Sequence, residues 1–168
     1  MRPPLASAVG DGPPASNITV LGVGNPIMAD DGVGLALLER VRALRGDCDV
    51  EFVDGATGGM ELLPVVQDCD RLLVLDAVAG PVPGVVEHLT GDQLPRLLSS
   101  KLSPHQVGLL DVLTAARLLG REPSVIEVVG VVPRDVELSL GLTPAVEAAV
   151  PDAVQVACEV LDGWLAIL

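Results

Sequence analysis

Aromatic side chains are almost missing from this chain of 168 residues, which has one Trp, one Phe and no Tyr. Hydrophobic residues nevertheless make up 49% of it, so the core has to be filled by Val, Leu, Ile and Ala packed between a sheet and helices, a composition that suits an α/β fold. Positive charge is scarce as well. Ten Lys and Arg against twenty-three Asp and Glu leave a formal net charge of −13, which repels phosphate backbones and anionic lipid. Nucleic acid and membrane are therefore excluded as partners, and cations or basic segments are favoured. No stretch approaches the roughly eighteen uncharged apolar residues that a membrane span needs. The stretch from Met1 to Ala15 lacks the apolar core of a signal peptide, so the cytoplasm is the expected location. Cys48, Cys69 and Cys158 are scattered and form no CxxC pair, which fits a reducing compartment and excludes both a disulfide framework and a thiolate metal cage. Each is expected to be a packing or surface thiol. Familiar hydrolytic machinery is absent too: there is no GxSxG elbow, no HExxH pair and no cysteine in an activating setting.

What is present is enough chain for one domain with a real core, and a monomer is expected. Residues 1–16, rich in Pro, Gly and Ala, read as a disordered N-terminal extension, and 17–168 as a single α/β domain. The pattern predicts strands over Ile18 to Val23, Val50 to Asp54, Arg71 to Val78, Gly84 to Leu89 and Val125 to Val132. It predicts helices over Asp31 to Arg45, Met60 to Asp68, Pro104 to Leu119 and Pro144 to Ala166, with a short helical turn near Gln93 to Leu98. The first, third and fifth strands are nearly continuous runs of Val, Ile and Leu, as strands buried on both faces should be. A three-layer α/β/α sandwich follows. The link from Val78 to Gly84 is too short for a helical crossover and carries Pro81 and Pro83, so the fourth strand should lie antiparallel at an edge. The expected sheet is thus mixed, five-stranded and mostly parallel.

Between the first strand and the first helix, Leu21 to Gly34 forms a glycine-rich turn in the setting of a nucleotide site. Its chemistry does not fit one. Ile27 stands where the dinucleotide fingerprint needs a third glycine, the Gly-Lys-Ser/Thr ending of a phosphate loop is missing, and Asp30 and Asp31 at a helix N-terminus would displace a phosphate. Two adjacent carboxylates point to a cation instead. Asp30 reads as a helix cap or a supporting group, because two neighbours cannot face one point equally well.

Ligands in open α/β sheets bind at the carboxyl ends of the parallel strands. Four polar residues fall there: Asp31 after the first strand, Asp54 ending the second, Asp76 ending the third, and His105 opening the helix before the fifth. Asp76 interrupts the run from Leu72 to Val78, where a charge needs either a cation or a set of backbone amides. Ser103-Pro104-His105-Gln106 has the form of a capping box, which puts His105 in a first helical turn. The helix dipole keeps such a ring neutral, the form a metal ligand must have, although a surface histidine at a helix start would look the same. His88, on the edge strand, has no partner motif and reads as structural. Asp54 to Gly59 is a second glycine-rich turn, in which Gly58 and Gly59 would let backbone approach a ligand or partner chain, or would serve only as a flexible connection. Two carboxylates and an imidazole would make an open metal site, suited to catalysis or transient capture.

These segments, in this order, resemble the hydrogenase maturation endopeptidases, which process the large subunit of nickel-iron hydrogenases. Leu21-Gly22-Val23-Gly24-Asn25 with Asp30-Asp31-Gly32-Val33-Gly34 is similar to the family's opening motif, and Asp54-Gly55-Ala56-Thr57-Gly58-Gly59-Met60-Glu61-Leu62 to its second. Leu75-Asp76-Ala77 and Ser103-Pro104-His105-Gln106-Val107-Gly108-Leu109 resemble the third and fourth, and Val129 to Pro133 followed by Gly141 to Glu147 the closing segment. The resemblance implies a metal-binding triad of Asp31, Asp76 and His105, with Asp54, Gly55, Thr57 and Gly58 in a loop that selects the substrate. It implies an endopeptidase that removes a C-terminal extension from a nickel-loaded large-subunit precursor, the nickel being carried by that precursor and no organic cofactor being needed. A non-cutting accessory protein that holds the same nickel-loaded precursor would use the same triad. Relatives have Asp or Glu at the position of Asp31 and often Gly at that of Ala56.

Overall fold

Ile18–Val23 forms strand β1 with every residue buried, as a strand covered on both faces requires. The structure is a computed structural model and describes residues 16–96 and 108–168. Parallel strands β2 (Glu51–Ala56), β3 (Arg71–Ala77) and β5 (Val125–Val131) join β1 in one sheet. Strand β4 (Val86–Thr90) completes it, antiparallel to β5 at the edge. The order β2-β1-β3-β5-β4 puts β3 at the centre and the short, proline-containing link after it on the way to the edge, as its length demands.

Helices cover both faces. Alternation along β1, β3 and β5 sends Val20, Leu73, Leu75, Val129 and Val131 to one side, where they pack with α1 (Val33–Arg45) and α4 (Pro144–Leu165). It sends Leu21, Leu72, Val74 and Val128 to the other side, against α2 (Leu63–Asp68) and α3 (Leu109–Leu118). Leu21, Leu37, Leu72, Leu73, Leu75 and Leu161 are among the largest fully buried side chains, each worth about 1.5–3 kcal/mol of transfer free energy. Aliphatic layers therefore replace the missing rings, with Trp164 at the end of α4 as the single large aromatic in the core.

Several boundaries differ from the sequence reading for local reasons. Ala29–Gly32 is a 3-10 turn, and the α-helix begins only at Val33. Likewise Gly59–Leu62 is a 3-10 turn, and α2 starts at Leu63 with Pro64 in its first turn, where a missing N–H is tolerated. Gly84 has a φ of 82°, so it belongs to the turn and β4 starts at Val86. The helical turn expected near Gln93 is a 3-10 stretch, Gly91–Arg96. The proposed extension up to Ala15, the Ser103-to-Gln106 helix start and His105 lie outside the described residues. Within them α3 opens at Leu109, and the Gly108 N–H donates to Asp111 Oδ2 at 2.9 Å across its first turn. No helix among the described residues is long and apolar enough to cross a membrane.

Candidate active site

The glycines of the first turn answer to backbone packing. A Cβ on Gly34 would lie 2.2 Å from the Val23 carbonyl oxygen and 2.3 Å from that of Leu75, so the start of α1 sits directly on the ends of β1 and β3. Gly24, with a φ of 137°, leaves a Cβ only 1.9 Å from the Asp31 carbonyl oxygen. Larger residues at either position would push the turn away from the strand ends. The turn is therefore a device for bringing the Asp30–Asp31 pair down onto the sheet beside Asp76.

Three carboxylates are buried there: Asp30 at 0%, Asp31 at 6% and Asp76 at 0% exposure. Asp76 Oδ1 accepts a 2.7 Å hydrogen bond from the Ala77 N–H, while Oδ2 has no hydrogen-bond partner among the described residues. Alternation places Asp76 with Leu72 and Val74, on the side of the sheet that α2 and α3 cover. Burial pushes its carboxyl well above the usual range. The Ala77 amide opposes this, and the Asp31 charge adds to it, so the two acids are within electrostatic reach. Asp31 Oδ2 accepts a 3.0 Å bond from the Asn25 N–H. Burial raises its pKa too, against the pull of that amide.

Asp30 lies in different surroundings. Burial works to raise its pKa, but three backbone N–H groups and the Thr143 hydroxyl outweigh it and hold the carboxyl below the ordinary value. Arg134 and Asp135 N–H donate to Oδ2 at 2.9 and 3.1 Å, and Thr143 donates its N–H to Oδ1 at 2.7 Å and its hydroxyl to Oδ2 at 2.8 Å. Asp30 does not cap its helix: the residue at that place is Gly32, and no side chain caps α1. Nothing in the local sequence shows this clamp, since its donors lie 104 to 113 residues away.

The second glycine-rich turn stands against the first, with Gly24 N–H donating to the Ala56 carbonyl at 2.9 Å. Asp54 is exposed, and its Oδ1 caps the turn by accepting from the Ala56 N–H at 3.0 Å. Gly55 is buried beside β1, where a Cβ would come within 2.8 Å of Leu21 Cδ1. Gly58 N–H closes the turn onto the Gly55 carbonyl at 2.8 Å. Thr57 and Met60 are exposed, so this loop offers a rim next to the acidic pair. Ala56 has a φ of 40°, a left-handed conformation that glycine would hold without strain.

Among the described residues no three His, Cys, Asp or Glu side chains gather to hold a metal ion. Asp31 and Asp76 supply two oxygen donors, and the third proposed ligand, His105, lies outside those residues. His88 pairs with Glu127 of the neighbouring β5, in keeping with a structural role. All three cysteines are free. Cys69 and Cys158 are buried, and burial pushes the Cys69 thiol up to about 11, so it is not an activated nucleophile.

Residues 32–160 match the family model described as hydrogenase maturation protease. The chain is 41% identical to the hydrogenase 2 maturation protease of Escherichia coli over 142 residues, covering 82% of this chain and 86% of that protein. It is 37% identical to the hydrogenase expression/formation protein HupD of Rhizobium leguminosarum over 156 residues, covering 90% and 77%. In structure it is similar to the hydrogenase maturating endopeptidase HybD from E. coli, with a TM-score of 0.76 at 37% identity over 88% of this chain and 93% of that one. A hydrogenase 2 maturation peptidase from a Thaumarchaeota archaeon aligns with a TM-score of 0.65 at 29% identity, covering 87% and 98%.

Proposed function

Since the chain belongs to the hydrogenase maturation protease family and is a peptidase, we propose that it removes the C-terminal extension of a nickel-loaded large-subunit precursor of a nickel-iron hydrogenase. In this reading Asp31, Asp76 and His105 bind the nickel that the precursor carries. The observation that carries it is the buried acidic pair, in which Asp76 keeps one oxygen without a partner among the described residues and Asp31 bears on it electrostatically.

Such a pair is unfavourable alone and favourable around a divalent ion, whose charge reverses the cost of holding two carboxylates together. Coordination would anchor the precursor and place its scissile bond. Hydrolysis then adds one water across the amide: the water oxygen bonds to the carbonyl carbon, the C–N bond breaks, and a proton goes to the departing amine. The exposed rim at Asp54, Thr57 and Met60, with Gly55 and Gly58 shaping its backbone, is suited to contact the precursor beside the metal. The excess of acid over base in the chain favours a cation-bearing partner as well. A protein of the cytoplasm acting as a monomer fits this role.

Incubating nickel-loaded precursor with the wild type, Asp76→Asn and His105→Ala tests the reading. The wild type should release a C-terminal fragment, and both variants should fold and release none. Full cleavage by both variants overturns the assignment of the triad. A stable complex of wild type and precursor with no fragment would favour the non-cutting accessory role, which the family's protease character speaks against.

A further inference from the structure

Residues 133–143 form irregular chain between β5 and α4, yet they are held at several points to the turn that carries Asp31. Beyond the four bonds to the Asp30 carboxylate, Asp30 N–H donates to the Asp135 carbonyl at 3.0 Å, Ala29 N–H to Ser139 at 2.8 Å, and Ser139 N–H to Ile27 at 3.0 Å. A carboxylate has about four acceptor sites, so Asp30 is saturated. Thr143 takes part at a loss to its own helix. It stands at the N-cap of α4, before Pro144, but makes no side-chain cap bond and gives its hydroxyl to Asp30 instead.

The gripped turn is strained. Ala29, buried and not a glycine, has a φ of 49°. A conformation of this kind persists only where the surroundings over-determine it. Released from the clamp, Ala29 would relax toward negative φ and rotate the next residues with it. Asp31 is two residues on, and among the described residues its carboxylate is held to the turn by the Asn25 N–H.

We propose that Asp30 and Thr143 are a positioning pair, which holds the turn 28–31 in its strained form so that the Asp31 carboxylate is presented to Asp76. The proposal rests on reading Asp31 and Asp76 as the acidic half of the site. It gives the closing segment around Thr143 a task in the chemistry, although that segment supplies no group to the reacting atoms.

Thr143→Val removes the hydroxyl and keeps the backbone donor, and Thr143→Ser restores the hydroxyl. Two readouts are taken on the full chain, at a temperature where every variant is folded. The first is the amide resonance and hydrogen exchange of Asn25, which reports the Asp31 carboxylate without any substrate. The second is the rate of fragment release from nickel-loaded precursor. In Thr143→Val the Asn25 amide should shift and exchange about tenfold faster, and release should slow about tenfold, as a small misplacement of a reacting group does. Thr143→Ser should lie within about twofold of the wild type in both, within the scatter expected when the hydroxyl bond is kept. An Asn25 amide unmoved in Thr143→Val, with only the melting temperature lowered, makes the bond merely structural and overturns the proposal. So does a moved amide with an unchanged release rate. Should Thr143→Val not fold, adding Ala29→Gly removes the strain that the clamp resists and should return both readouts to within about twofold of the wild type. A folded double variant with the Asn25 amide still displaced overturns the proposal. If the wild type itself releases no fragment, the substrate reading fails, while the Asn25 resonance still reports on the pair.

Discussion

Asp30 and Asp76 are the same side chain, equally buried at 0% exposure, and they meet opposite surroundings. Four donors converge on Asp30, so its charge is solvated by protein and its pKa falls. Asp76 has one donor, an orphan oxygen among the described residues and a second acid in reach, so its pKa rises. The difference separates a carboxylate saturated by the protein from one that, among the described residues, has an oxygen without a donor. Solvent exposure alone does not tell them apart. The count and direction of donors does.

Removing the carboxylate charge at Asp76 gives the largest expected effect. Asp76→Asn should cut fragment release by at least about a thousandfold, the scale of removing a group on which transition-state placement depends. It should also melt at a higher temperature than the wild type near neutral pH, because an isosteric amide removes the cost of burying or protonating that carboxylate. A variant that lost both activity and stability would show Asp76 to be a second clamp like Asp30. Conversely, Asp30→Ala strips four donors of their acceptor at once and should lose about 3 kcal/mol in denaturant unfolding. If it unfolds like the wild type, the saturated half of the contrast is wrong.

The contrast also has a signature in pH. Asp30 is held below its unfolded value of 3.8, so its contribution is present above that value and is lost as pH falls through the folded pKa. Asp76 and Asp31 are raised above 3.8, so the native state binds more protons than the unfolded one, and stability is lost as pH rises through their folded values. The stability advantage of Asp76→Asn over wild type should therefore be small near about pH 4 and grow toward about pH 7. Paired urea melts across that range would show it, and a constant gap would mean that Asp76 is not raised. The smallest effect is expected at Ala56. Replacing it with Gly relieves a φ of 40° and should raise stability by about 1 kcal/mol, less the added freedom of the unfolded chain. An Ala56→Gly protein that melts lower would place the strain of the second turn elsewhere.

Much of the fold was legible in the chain. Continuous aliphatic runs marked the strands buried on both faces, and the short proline-bearing link after Val78 required the reversal that makes β4 antiparallel. Asp76 stood out as a carboxylate inside such a run, and the structure finds it buried, with one oxygen unpartnered among the described residues, which composition made unusual but did not guarantee. Asp31 was separable from Asp30 only as an expectation, since adjacent acids look alike in sequence. What assigned them was a segment 104 to 113 residues further on, which took one of the pair for itself.

The amino-acid sequence by itself determined the layers, the strand order's single reversal and the residue types gathered at the strand ends, because periodicity and turn chemistry are local and read directly from neighbours. Only the tertiary structure decided which acid is solvated by the protein, which has an oxygen without a donor among the described residues, and why the Thr143 hydroxyl does not cap its own helix. Those outcomes depend on where distant backbone N–H groups come to rest, and no local pattern encodes the direction from which a donor arrives.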